Sequence, residues 1–271
     1  MNRRSIILFL LGGGLFSQDA PVEGDRARRM WSTEFRQSRE ETSAPPAPAA
    51  GKPALLGLTL WRLRPSRALD QARLIVHEEV SKVDAEFTPE RISLSTRLLP
   101  NDRIRLSVES AQAGYLYVIS QESYSGGTLG KPHLIFPSKR MYGGANQMAS
   151  KRPVDIPELS NGRPYLTLQR SRPDQAAEVL TFLVTPSPLP GMMVQSQPVP
   201  IDPAQWEVLR KKWGAGVQRI ETGGGAPWTP AEKEASEGKR SLGASDPLPQ
   251  NLYRTASSPG LLFSVPLSLA Q

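Results

Sequence analysis

Cysteine is absent from this chain, and histidine occurs only twice in 271 residues. The first absence excludes disulfides, thiolate nucleophiles, cysteine metal ligands and lipid attachment through an N-terminal cysteine, so the fold must rest on its apolar core. The second leaves little for metal or acid–base chemistry. His77 and His133 lie far apart with no helical pairing, and a zinc site would need Glu78 or Asp155 to complete it. His77 reads as a surface residue of a strand or helix, and His133 as a loop residue ahead of a strand. Catalytic motifs are missing as well. No Gly-X-Ser-X-Gly nucleophile elbow occurs, although Ser120 follows a strong strand pattern. Gly223-Gly-Gly225 lacks the Gly-Lys-Ser/Thr ending of a phosphate loop and reads as a turn. The adjacent carboxylates Glu40-Glu41 and Glu78-Glu79 read as solvated surface.

Only one apolar run is long, Ser5 to Phe16, and it follows Asn2-Arg-Arg4 and precedes the small residues Ser17 and Ala20. A basic start, an apolar core and a small residue make a secretory signal peptide over residues 1–20. The run is short of the ~20 residues of a membrane-spanning helix, and an uncleaved anchor is the alternative. Together with the missing cysteines, this places the mature protein in a periplasm or outside the cell. Cleavage removes Arg3, Arg4 and Asp19, so the 33 basic and 26 acidic residues become 31 and 25. The remaining excess is scattered along the chain and reads as a mildly cationic exported protein with no specific nucleic-acid partner.

Proline, at 26 residues, is about twice its usual share. It is excluded from helix interiors and central strands, which argues for short elements and long ordered connections. Residues 21–53 read as a linker, disordered and Pro/Ala-rich. The tract Ser43 to Ala50 favours polyproline II over packing, while Met30, Trp31 and Phe35 could form one short apolar helix face.

From Leu55 onward strand patterns dominate. Leu58 to Leu63 alternates, and residues 66–83 fit either a helix capped by Ser66 or a strand around Leu74 to His77. Arg103 to Glu109 places Ile104, Leu106 and Val108 inward and Arg103, Arg105, Ser107 and Glu109 outward. Gly114 then permits a turn into Tyr115–Ile119, predicting a hairpin. The apolar runs Gly114 to Ile119 and Leu134 to Pro137 read as neighbouring strands buried on both faces. Val154–Ile156, Tyr165–Leu168, Val179–Val184, Asn251–Arg254 and Leu261–Val265 complete the pattern of an antiparallel β-sandwich. Two helices decorate its C-terminal part. Asp202-Pro-Ala-Gln205 caps one whose Trp206, Leu209 and Trp213 face the sheet, and Arg210-Lys-Lys212 complement its dipole in the last turn. Thr229-Pro-Ala-Glu232 caps a short polar one running to about Glu237.

Tyr115 and Tyr117 share a strand face and read as core. Tyr124 and Tyr142, near Arg140 and Asn146, sit in the loops at 120–131 and 138–153 and are the candidate interaction residues. No catalytic, cofactor-binding or metal-binding residue is assigned.

The run Asn101-Asp-Arg-Ile-Arg-Leu-Ser-Val-Glu109, then Gly114-Tyr-Leu-Tyr-Val-Ile119, Leu134-Ile-Phe-Pro137 and Asp155-Ile-Pro157, with Asn146 between, resembles domain of unknown function 4384, a bacterial family. Where that family usually has Gly-Asp at the first turn, Asn101-Asp102 stands here, and Asn also accepts positive φ. The resemblance covers roughly residues 95–185 and implies a β-sandwich module, with no catalytic residues to carry over. The expectation is a signal peptide at 1–20, a linker at 21–53 and a β-sandwich domain at 54–271 with a helical C-terminal extension. Such a protein would be exported, monomeric and without membrane span after cleavage. It would need no cofactor and would bind an unknown protein or envelope polymer without catalysis. An envelope hydrolase, with Ser120, His133 or Asp155 converging in a polar cleft, is the alternative.

Overall fold

The structure, a computed structural model, describes residues 23–40, 53–68, 70, 76–80, 83–223, 227–256 and 258–270. Residues 1–20, read from the sequence as a signal peptide, the tract Ser43 to Ala50, and Gly224 and Gly225 lie outside the described residues. Two antiparallel sheets are stacked face to face, the mainly β architecture that the alternating patterns predict.

The first sheet is organised on β1 (Leu55–Pro65). One edge of β1 takes β4 (Arg103–Ser110) along Leu56 to Leu63. Its other edge is shared between β13 (Asn251–Arg254), which pairs Leu55–Leu58, and β3 (Val83–Arg91), which pairs Trp61–Pro65. Beyond these lie β12 (Gln218–Glu221) on β13, β2 (Val76–Val80) on β3, and β8 (Val154–Ile156) and β9 (Leu166–Thr167) on β4. The second sheet runs β11 (Val199–Pro200), β6 (His133–Phe136), β5 (Gly114–Tyr124), β10 (Gln175–Thr185), β14 (Leu261–Ser268). The short β7 (Gln147–Met148) pairs with the start of β5.

The core forms between the sheets because period-two side chains from both point into it. Leu56, Leu58 and Leu60 of β1 and Ile104, Leu106 and Val108 of β4 meet Leu116 and Val118 of β5, Phe182 of β10 and Phe263 of β14. The outer face of the second sheet is also covered. There α2 (Pro203–Trp213) lays Trp206, Leu209 and Trp213 on Tyr117, Ile119, Leu134 and Leu183. The Asp202 carboxylate accepts from the Ala204 and Gln205 amides at 2.9 and 3.0 Å, as its cap position predicts. Double coverage explains why β5 and β10 read as near-continuous apolar runs. The second capped helix, α3 (Pro230–Ser236), carries a reciprocal box between Thr229 and Glu232.

Two expectations are corrected. The segment read as a disordered linker holds α1 (Glu23–Glu40), which buries Trp31 and Phe35 against Leu55 and Leu252. Met30 points away and is exposed. The hairpin expected at Gly114 does not form, because both edges of β4 are taken by β1, β8 and β9. The chain instead crosses from one sheet to the other, so β4 and β5 face each other through the core. Arg105 and Glu109 do point outward from the inter-sheet core, as the alternation predicts, and that outer face of β4 is itself covered, by Trp228, α1 and α3. Residues 66–68 and 70 are not helical and Val76–Val80 is a strand, while residues 71–75 lie outside the described residues.

Candidate functional site

The four candidate loop residues do not converge. Tyr142 packs edge-on against Phe136 at 6.1 Å and donates its hydroxyl to the Asp155 carbonyl at 3.0 Å, while accepting from the Asp155 amide at 3.1 Å. Burial and the nearby Asp155 carboxylate push the Tyr142 phenol well above its ordinary value. Asn146 donates to the Leu116 carbonyl at 3.0 Å, and its own carbonyl accepts from the Leu116 amide at 2.9 Å. Both residues therefore fasten the 138–153 loop to the core rather than offering side chains to a partner. Tyr124 ends β5, hydrogen-bonded to Glu122 and covered by the Arg172 guanidinium at 4.4 Å. From Leu116 to Tyr124 is eight residues along one strand, roughly 26 Å at about 3.3 Å per residue. Arg140 is exposed, and its carbonyl accepts from Asn161 at 2.8 Å.

The hydrolase alternative asks for Ser120, His133 and Asp155 in one cleft, and two of the three meet. Ser120 of β5 stands opposite His133 of β6, and Glu122 opposite Glu178 of β10. These positions continue the inward register of Leu116, Val118, Leu180 and Phe182, so polar side chains replace the core at the end of the sheet. A depression of about 320 Å³ opens there, lined by Ser120, Glu122, His133 and Glu178. The two carboxylates are pulled apart electrostatically. Burial pushes Glu178 up against the opposing Ser120 hydrogen bond, whereas hydrogen bonds from Ser171 and Tyr124 hold Glu122 down. His133 Nδ1 lies 2.9 Å from the Lys131 carbonyl. The Ser120 hydroxyl donates to Glu178, not to His133. A nucleophile relay needs the imidazole between serine and acid, and that order is not met.

Asp155 belongs to a different place, the outer face of the first sheet. It is fully buried and accepts from Ser107, which in turn accepts the Trp61 indole N–H at 2.8 Å. Beside it Arg105 is fully buried under the Trp228 ring at 4.2 Å, and its three guanidinium nitrogens have no hydrogen-bond partner among the described residues. Burial lowers the Arg105 pKa and the Asp155 carboxylate opposes that shift. Arg91 pairs with Glu232 and stacks over Trp61, and the space enclosed beneath Trp228 is about 20 Å³. That is room for one water and no substrate. This polar layer joins helices to sheet.

An open groove lies between α2 and the sandwich edge. It measures about 510 Å³ and runs from Arg210 and Lys211 on α2, past Arg219 on β12, to Tyr253, Leu262 and Phe263. Tyr253 of the first sheet stacks on Phe263 of the second (3.4 Å, 11°), and Phe263 on Phe182 (5.2 Å, 16°), which fixes the floor. Arg210 pairs with Glu207 at 2.9 Å and Arg219 with Glu221 at 3.5 Å. Tyr253 is 3% exposed, and its hydroxyl has no hydrogen-bond partner among the described residues. Burial pushes that phenol up to about 12, with Arg219 pulling the other way.

Sequence reasoning read Arg210 and Lys211 as dipole complements and Tyr253 as a closing-strand residue, and each reading is locally true. Their meeting depends on β13 and β14 ending in different sheets, which no local pattern reports. Among the described residues, no three His, Asp or Glu side chains stand close enough to hold a metal ion, and no helix is long and apolar enough to cross a membrane. Compared with known proteins, the chain matches no family model, no curated protein and no solved structure.

Proposed function

We propose that this protein is an exported, non-enzymatic β-sandwich module that binds a protein or polymer of the cell envelope or of the extracellular surroundings, and that the groove beside α2 is its binding face. The observation that carries this reading is the cationic, aromatic-floored concavity of Arg210, Lys211, Arg219 and Tyr253. Export rests on the basic start and apolar run of residues 1–20. The same reading takes residues 95–185 as a relative of domain of unknown function 4384. Its support is the structural work of the motif residues. Asn101 has a φ of 72°, Asp102 accepts from the Leu99 amide at 2.8 Å, and the Tyr117 hydroxyl accepts from the Leu189 amide at 2.8 Å.

The test is capture of envelope material by the full chain and by a Lys211→Glu, Arg219→Glu variant. Loss of capture with an unchanged melting temperature is the expected result, with Arg140→Ala indistinguishable from the parent. Capture that ignores both the charge reversal and salt contradicts the reading. A hydrolase reading keeps one observation in its favour, the register that sets Ser120 opposite His133. It requires turnover of an ester or amide substrate that disappears in Ser120→Ala.

A further inference from the structure

At one end of the second sheet two carboxylates stand directly opposite each other, Glu122 near the end of β5 and Glu178 near the start of β10. The Glu122 carbonyl is turned away from β10 and accepts from the Gly130 amide at 2.8 Å. The two residues therefore face each other as a non-hydrogen-bonded pair, the closer kind, with Cα atoms about 4.5 Å apart. Like charges so placed push strands apart. We propose that Glu122 and Glu178 form a proton-operated joint: one proton held on the pair keeps these ends of β5 and β10 together, and its loss toward neutral pH loosens them.

The surroundings suit one neutral and one charged group. The Glu178 oxygens accept from the Ser120 hydroxyl and from Gln175 Nε2, the latter at 3.1 Å. A serine hydroxyl can turn round, donating to a carboxylate or accepting from a carboxylic acid, so Glu178 keeps that bond in either state. Glu122 accepts from the Tyr124 hydroxyl. Burial holds Glu178 above the ordinary 4.5, while hydrogen bonds from Ser171 and Tyr124 hold Glu122 below it. The other titratable or charged groups facing the pair are Tyr124 of β5, Lys131 and His133 at the start of β6, and Arg172 ahead of β10, itself paired with Asp174 at 2.8 Å. Ile135 and Pro198 complete the lining, and β14 sets only Leu267 opposite Glu178. The folded chain keeps a proton on Glu178 that the unfolded chain releases, so that stability is complete below 4.5 and is lost as pH rises through the folded midpoint. Glu122 contributes above 4.5 and loses its share as pH falls. The joint is therefore tightest near 4.5 and weakens toward neutral pH.

Carbon-13 NMR of the glutamate carboxyls of the full chain, titrated over about pH 3–8, reads both midpoints without any substitution. Glu178 should titrate above Glu122, and Glu122→Gln should move the Glu178 midpoint down toward 4.5 by removing the opposed charge. Hydrogen exchange, corrected for the intrinsic rate, supplies the mechanical readout. The amides of residues 120–124 and 175–180 should be about fivefold less protected at about pH 7 than at about pH 5. Glu178→Gln, neutral at every pH, should abolish that difference, and His133→Gln should leave it in place. The proposal is overturned if the two midpoints coincide, if Glu178 titrates unchanged in Glu122→Gln, or if the difference in protection disappears with His133 and persists without Glu178. Equal protection at both pH values in the parent chain overturns it as well.

Discussion

Phe136 is 1% exposed in the middle of the core and braces Tyr142, whose hydroxyl holds the Asp155 backbone. Phe136→Ala should cost about 3–5 kcal/mol by denaturant unfolding, and a loss under about 1 kcal/mol would mean that the strand is misplaced. Tyr142→Phe should cost about 2–3 kcal/mol through the loss of both hydrogen bonds to the Asp155 backbone. Were Tyr142 a partner anchor, its removal would leave stability untouched, so the same melt separates the two roles. Gly57 is another single-atom constraint. A Cβ there would run into the Pro249 ring, and Gly57→Ala should destabilise by about 1–3 kcal/mol through overpacking. The inward positions Ile104, Leu106 and Val108 were legible from alternation, because a strand's period is a local property. The fate of Arg105 was not, since Trp228, its cover, comes from a distant stretch of chain.

At the scale of elements, α2 and α3 could be read in advance because their caps lie next to them in sequence. The helix α1 could not. Its buried face runs Trp31, Phe35, Arg39, and an arginine in that row makes the pattern look like surface. The charge is answered far along the chain. Arg39 Nε and Nη2 meet both oxygens of Glu109 at 2.9 and 2.7 Å, and Nη1 and Nη2 also donate to the carbonyls of Gly243, Asp246 and Pro247. Burial pushes Glu109 up against the pull of that guanidinium. Glu109→Gln leaves a buried arginine without its anion and should cost about 3–5 kcal/mol. Hydrogen exchange should show the loss concentrated in α1 and its contacts on β1 and β13, whereas a uniform loss would mean that α1 is not separately held.

For the whole molecule, the sandwich class was legible because strand spacing and proline content limit the choices, but the route of the chain was not. The expected hairpin at Gly114 and the actual crossing share the same alternation on both sides of the turn. Only the competition of β1, β8 and β9 for the edges of β4 decides between them. The groove inherits that illegibility, since its walls come from both sheets and a helix. One global consequence is alkaline sensitivity. Tyr253 is held near 12 against an ordinary 10.0, so between those values the folded chain keeps a proton that the unfolded chain releases. Stability is therefore intact below about pH 10 and falls by roughly 1–3 kcal/mol as pH climbs toward about 12. Tyr142, whose phenol is pushed up as well, adds to the same fall, so Tyr253→Phe should reduce the slope of that part of the urea-midpoint profile without abolishing it, and an unchanged slope would mean that the Tyr253 phenol is not buried.

The divided edge of β1 also sets how the molecule would yield to load. Along Trp61–Pro65 its flank is held by β3, along Leu55–Leu58 by β13, and β4 alone spans the junction on the other side. Tension applied through β3 would therefore unzip five residue pairs and stop, with the flank at Leu55–Leu58 still clasped by β13.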